Sequence, residues 1–255
     1  MMIVCITGDV HHPLSSTYWD KNEVRFAEEY IEIVDSLKVR ATLFITGKCV
    51  KKNNKIFRTI SKNYYNIELG GHTYYAFKIL PYIPSKYIGA LSKLLSGSSY
   101  GPKFWQKIDI VKTINAFKEI GINIKAWRTH CYAGDKTTYS ILNSLGIIVV
   151  SDKRKLCNFK IKKEIGNLYH LYITMPMDEL IRPNNYEDNE EWIESTWNIL
   201  NCEIKRKANI VFNLHPKRMK MLDDFETFEK IIKVLKRAGY RFLTVSEVIN
   251  ETVIN

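Results

Sequence analysis

Seven short apolar runs punctuate this chain: MMIVCIT, ATLFITG, NIELGGH, INIKAWR, GIIVVSD, LYHLYITMP and ANIVFNLHP. Each reads as a strand. Between them the apolar spacing shifts to that of a helix. Phe26, Tyr30, Ile33, Val34 and Leu37 recur on one face; Val111, Ile114 and Phe117 repeat before a stop at Gly121. Ile193, Trp197 and Leu200 form a third pattern, and Phe228, Ile231, Ile232 and Leu235 a fourth, closed by Gly239. The stretch between the second and third runs is polar and lysine-rich. Strands separated by helices specify a parallel sheet with crossover helices. Roughly seven such units favour closure into a barrel over an open sheet.

Length agrees with that plan, since one α/β barrel takes about 250 residues. A single domain over residues 1–255 is therefore expected. Hydrophobic residues make up 45% and charged residues 25%, enough to bury a sizeable core. The N-terminus lacks the basic, apolar and small-residue regions of a secretory signal, and no apolar stretch reaches about 18 residues. A cytoplasmic location without a membrane span is the expectation. Cys5, Cys49, Cys131, Cys157 and Cys202 are far apart and form no Cys-x-x-Cys pair, so reduced, mostly buried thiols are expected. The net charge of +11 can draw in anions. Its lysines and arginines are dispersed among Ile, Asn and Tyr, however, as on a solvated surface, and no nucleic-acid partner is expected.

A barrel demands that chemistry sit just past the C-terminal ends of its strands. Five of the six histidines do so: His11 and His12 follow the first run, His72 the third, His130 the fourth and His215 the last. His170 lies inside a run and reads as a packed or half-exposed strand residue. Imidazoles converging with a carboxylate such as Asp9 can hold a divalent metal and leave a position open for water.

ATLFITG, ELGGHT, the arginine of WRTH and the NLHP ending, in that order, resemble the motifs of the polysaccharide deacetylases, the NodB-homology group of carbohydrate esterase family 4. The resemblance runs from about Ile3 to Val248. It implies a distorted (β/α) barrel with seven or eight mostly parallel strands. It also implies a divalent metal, zinc before others, used to remove acetyl groups from a sugar.

Carried over residue by residue, the resemblance makes Asp9 the catalytic base. The adjacent metal-ligand position is Val10; in an Asp-x-Asp register His11 takes the ligand's place, with His12 as its substitute. His72 matches the first histidine of the second motif, with Thr73 beside it, but the second histidine is Ala76. His12 or His130 then supplies the missing ligand, or the metal is held with more water, or the site is lost. Arg128 matches the arginine that orients the base, and His215 the general acid, with Asp178 as its candidate partner. Asp135 can orient His130 or cap the helix that follows, and the cap is the better reading. Leu214 is expected to line the acetyl pocket; Tyr74, Trp105 and His130 are the other candidates for substrate contact. Tyr82, Tyr100 and Phe104 belong to the same long aromatic connection as Trp105.

The function expected is hydrolysis of an acetylated amino sugar or sugar nucleotide. A deformylase or other amidase on the same barrel would use the same residues. With Val10 and Ala76 at two ligand positions, an inactive barrel that binds a saccharide or a protein is the alternative.

Overall fold

The structure, a computed structural model, describes residues 2–76 and 98–254. Tyr82 lies outside the described residues. Each of the seven apolar runs contains a strand. These are β1 (Ile3–Val10), β2 (Ala41–Ile45), β3 (Ile67–Gly71), β4 (Ala126–Trp127), β5 (Val149–Val150), β7 (Leu168–Leu171) and β8 (Ile210–Asn213). Two further strands are β6 (Ile161–Ile165), which turns back antiparallel onto β7, and β9 (Arg241–Phe242), which pairs with the start of β1.

The sheet runs β6-β7-β5-β4-β3-β2-β1-β8, and every pairing except β6·β7 is parallel. Parallel strands with both faces covered need apolar residues at successive positions, and all eight residues of β1 are buried. No strand ladder joins β7 to β8, but backbone N–H groups of Thr174 and Met175, just past β7, both donate to the Val211 carbonyl in β8. The described sheet is therefore the mostly parallel one the alternation implied, bent so that the segment after β7 meets β8.

Helices cover the outside. In chain order they are α1 (Tyr18–Lys21), α2 (Glu23–Ser36), α3 (Gly47–Lys52), α4 (Asn54–Asn63), α5 (Lys103–Lys118), α6 (Lys136–Ser144), α7 (Tyr186–Lys205), α8 (Pro216–Asp223), α9 (Glu226–Arg237) and α10 (Val245–Ile249). Phe26, Tyr30 and Val34 of α2 and Phe228, Ile231, Ile232 and Leu235 of α9 are buried in one core with Ile6, Leu43 and Phe212 of the strands. Asp135 caps α6: its side chain accepts the Thr138 N–H, and the Thr138 hydroxyl answers on the Asp135 N–H. No helix among the described residues is long and apolar enough to cross a membrane. Cys5 and Cys49 are buried, Cys157 is half-buried and Cys131 and Cys202 are exposed, so fewer thiols are enclosed than the sequence implied; none is paired.

Parallel strands end on one rim. Val10, Ile45, Gly71, Trp127, Val150 and Asn213 close their strands there, and the residues that follow supply the candidate site.

Candidate active site

Arg128 follows β4 and is wholly buried. Its Nη1 donates to Asp9 Oδ1 at 2.9 Å and Asn213 Oδ1 at 2.7 Å, and Nη2 to Thr7 Oγ1 at 2.8 Å and Ser151 Oγ at 3.1 Å. Nε donates to the Ser151 carbonyl at 2.6 Å, so all five guanidinium N–H groups are used. The guanidinium also lies 4.3 Å from the Phe44 ring centroid. A buried cation satisfied this completely fixes the carboxylate beside it. Burial opposes charge on Asp9, yet Arg128 and His215 hold its carboxyl well below the usual range.

His215 caps α8 at its N-terminus. Asp178, fully buried in a short 3-10 turn, accepts the His215 backbone N–H through Oδ2 and faces Nδ1 through Oδ1, both at 2.6 Å. Nε2 of His215 then points to Asp9 Oδ2 at 3.5 Å. Burial works against an imidazolium here, but Asp178 and Asp9 outweigh it and push His215 up to about 10. His215 is consequently a proton donor at neutral pH.

Asp9, near the end of β1, and His11, just past it, both line the rim cavity, while Val10 between them lies in the apolar core. Glu23, buried at the start of α2, accepts the His11 backbone N–H and faces His11 Nδ1 through the same oxygen, each at 2.7 Å. A carboxylate only accepts, so Nδ1 carries the proton and Nε2 is bare. That Nε2 is buried and has no hydrogen-bond partner among the described residues. Burial opposes charge on Glu23, but His11 and Lys217 hold it down at about 2.

His72 follows β3. Its Nδ1 faces the Arg128 carbonyl, leaving Nε2 2.9 Å from His130 Nδ1. His130 opens a turn, His130–Tyr132, in which Cys131 and Tyr132 have φ of 49° and 56°. That left-handed pair turns the chain sharply back at the rim. Desolvation lowers His72 to about 3 and takes His130 well below its usual value, so both are neutral, the form that binds metal. The ring centroids of His11, His72 and His130 stand 5.0 to 5.2 Å apart. One nitrogen from each lies within 4.8 Å of the others. A tetrahedral ion about 2.1 Å from each nitrogen asks for separations of about 3.4 Å, within reach of small side-chain rotations. The orphaned His11 Nε2 and the neutral His72 and His130 rings fit a divalent metal of the zinc type.

The structure thus gathers Asp9, His11, His72, Arg128, His130 and His215. His12 stands apart. Its N–H donates to Thr46 Oγ1 at 3.0 Å and its Nδ1 lies 3.3 Å from the same atom, so it serves the β1–β2 connection and not the histidine group. His130, expected to touch substrate or replace a ligand, occupies the third corner of the group. Leu214 is buried in the core, Tyr74 packs edge-on to Tyr75, and Trp105 lies in the first turn of α5. None of these three lines the cavity of about 180 Å³ at the rim, whose walls include Asp9, His11, His130, Tyr132, Glu179 and His215. Sequence reasoning missed Glu23, Tyr132, Glu179 and Lys217. A glutamate opening an amphipathic helix carries no signal that it is buried. Tyr132 was within reach, two residues beyond His130.

No protein-family profile matches the sequence, and no curated protein matches it either. Solved structures do. A protein described as a polysaccharide deacetylase from Mycobacterium smegmatis superposes with TM-score 0.71 at 11% identity, over 98% of this chain and 90% of its own. Puue allantoinase gives 0.72 at 11% identity, covering 99% and 92%. A carbohydrate esterase family 4 pseudoenzyme from Bacillus anthracis gives 0.56 at 15% identity, covering 98% and 66%. The fold is that of the polysaccharide deacetylases, and the motif resemblance to the NodB-homology group is matched by this architecture.

Proposed function

We propose that this chain is a divergent, metal-dependent deacetylase that hydrolyses the acetamido group of an N-acetylated amino sugar or sugar nucleotide. The observation that carries the reading is the meeting of three imidazoles with an Arg-held aspartate and an Asp-held histidine on one rim. His11, His72 and His130 would hold the ion. Nitrogen donors favour zinc over magnesium or calcium, which take oxygen. When bound, such an ion supplies a lowered water pKa and polarises the acyl carbonyl.

Asp9, fixed in one rotamer by Arg128, accepts the proton of the attacking water. His215, charged and aimed by Asp178, gives its Nε2 proton to the departing nitrogen. Tyr132, whose hydroxyl sits 3.0 Å from Glu179 and accepts from Asn213, forms the far wall. A cavity of about 180 Å³ is smaller than the 300–1,000 Å³ of drug-sized pockets, so it admits the acyl end and leaves the rest outside. The same observation supports a small amide as the second reading, in line with an allantoinase among the structural neighbours.

The test is acetate release from a panel of acetylated amino sugars and sugar nucleotides by zinc-loaded protein. Activity lost in His72→Ala and in His130→Ala is the expected result. Wild-type protein that takes up zinc but hydrolyses none of the panel, nor small amides, would favour a saccharide- or protein-binding barrel. Activity unchanged in His130→Ala would remove that residue from the ligand set.

A further inference from the structure

The motif this chain resembles carries a carboxylate where Val10 stands, and an all-imidazole group has none. Glu23 puts a carboxylate one hydrogen bond further out. Its Oε1 grips His11 twice, at the backbone N–H and at Nδ1, both 2.7 Å, with the carboxylate 98% enclosed. Its other oxygen accepts from Lys217 Nζ at 2.9 Å, and Lys217 also donates to Asp20 at 2.8 Å. The chain thus runs from the bare His11 Nε2 through the imidazole and Glu23 to a lysine in the first turn of α8, two residues beyond His215.

Resting on the metal reading above, we propose that Glu23 is a positioning residue that replaces the missing carboxylate ligand through His11, and that Lys217 sets how much of its charge the imidazole feels. Three features support this. The grip on Nδ1 dictates the tautomer that leaves Nε2 bare. The added grip on the backbone N–H sets the angle at which the ring enters the rim. Negative charge on Glu23 raises the basicity of His11 toward a cation, whereas Lys217 draws that charge away.

The proposal assigns opposite signs to two substitutions. Glu23→Gln keeps the shape and removes the charge, and zinc affinity, measured by competition with a chromophoric chelator, is expected to fall about 10–100-fold. Lys217→Met keeps the aliphatic stem and leaves Glu23 with more of its charge; affinity is expected to rise severalfold. A role limited to holding the fold would weaken both variants together, along with their melting temperatures. Unchanged affinity in Glu23→Gln, or weakening in Lys217→Met, would overturn the assignment while the metal reading stood. Wild-type protein that takes up no zinc would overturn both. Should Glu23→Gln fail to fold, Lys217→Met still decides by its sign.

Discussion

His215 holds its proton through neutral pH because Asp178 grips it on one side and Asp9 faces it on the other. On the proposed function, replacing it with alanine removes the donor to the leaving nitrogen and leaves the three imidazoles in place. Turnover is expected to drop about 10²–10⁴-fold with zinc affinity little changed, as kinetics and chelator competition on the same preparation would show. At this scale the sequence was informative where a residue's chemistry survives burial: Asp9, Arg128, His72 and His215 were each read from a strand end. It was silent where geometry decides between equals. His11 and His12 are adjacent and identical, and what separates them is their partners in the fold, Glu23 for one and Thr46 for the other. Position 130 was legible as chemically able, but its place opposite His72 depends on two consecutive left-handed residues that no local pattern announces.

Elements were legible in proportion to how much apolar surface each buries. The seven apolar runs all contain strands because each is buried in the sheet. β6 was missed, since IKKEI buries little and is held by its hairpin with β7, turned at Gly166 with φ of 53°. β9 has two residues and pairs only with the start of β1. The lysine-rich stretch between β2 and β3 contains α3 and α4; Ile56, Phe57 and Ile60 share one face of α4, a helical spacing easily overlooked among its lysines and asparagines. Two tests belong here. Asp135→Ala removes the reciprocal cap of α6 and is expected to cost about 0.5–2 kcal/mol in urea unfolding. Gly71→Ala is expected to cost about 1–3 kcal/mol. A Cβ at Gly71 would stand 2.6 Å from Trp127 and Ile124 side-chain atoms, beneath His72.

For the whole molecule, buried titrating groups set the pH range of stability. Burial lowers His12 to about 4 and His72 and His170 to about 3, so unfolding takes up protons at each once pH falls below about 6.5. Asp9 and Glu23, both held low, add to the loss in more acidic solution. His215 works the other way: its contribution is full below about 6.5 and disappears as pH rises through about 10. Metal-free protein is therefore expected to be most stable near neutrality, with unfolding free energy from urea titrations declining on both sides. His170→Asn should flatten the acid limb by up to about 1.4 kcal/mol per pH unit. His170 lies at 3.2 Å from Asp152 and 3.4 Å from Glu164, away from the histidine group.

Arg128 imposes an order on biosynthesis. Its partners Thr7 and Asp9 are made first, but Asn213 follows 85 residues later. At about 5–20 residues per second a ribosome needs roughly 4–17 s to cover that interval. Through it the guanidinium waits for its last acceptor, and the rim has no floor. Chains ended before Ile210 are expected to stay sensitive to protease, whereas chains that reach the C-terminus should resist it.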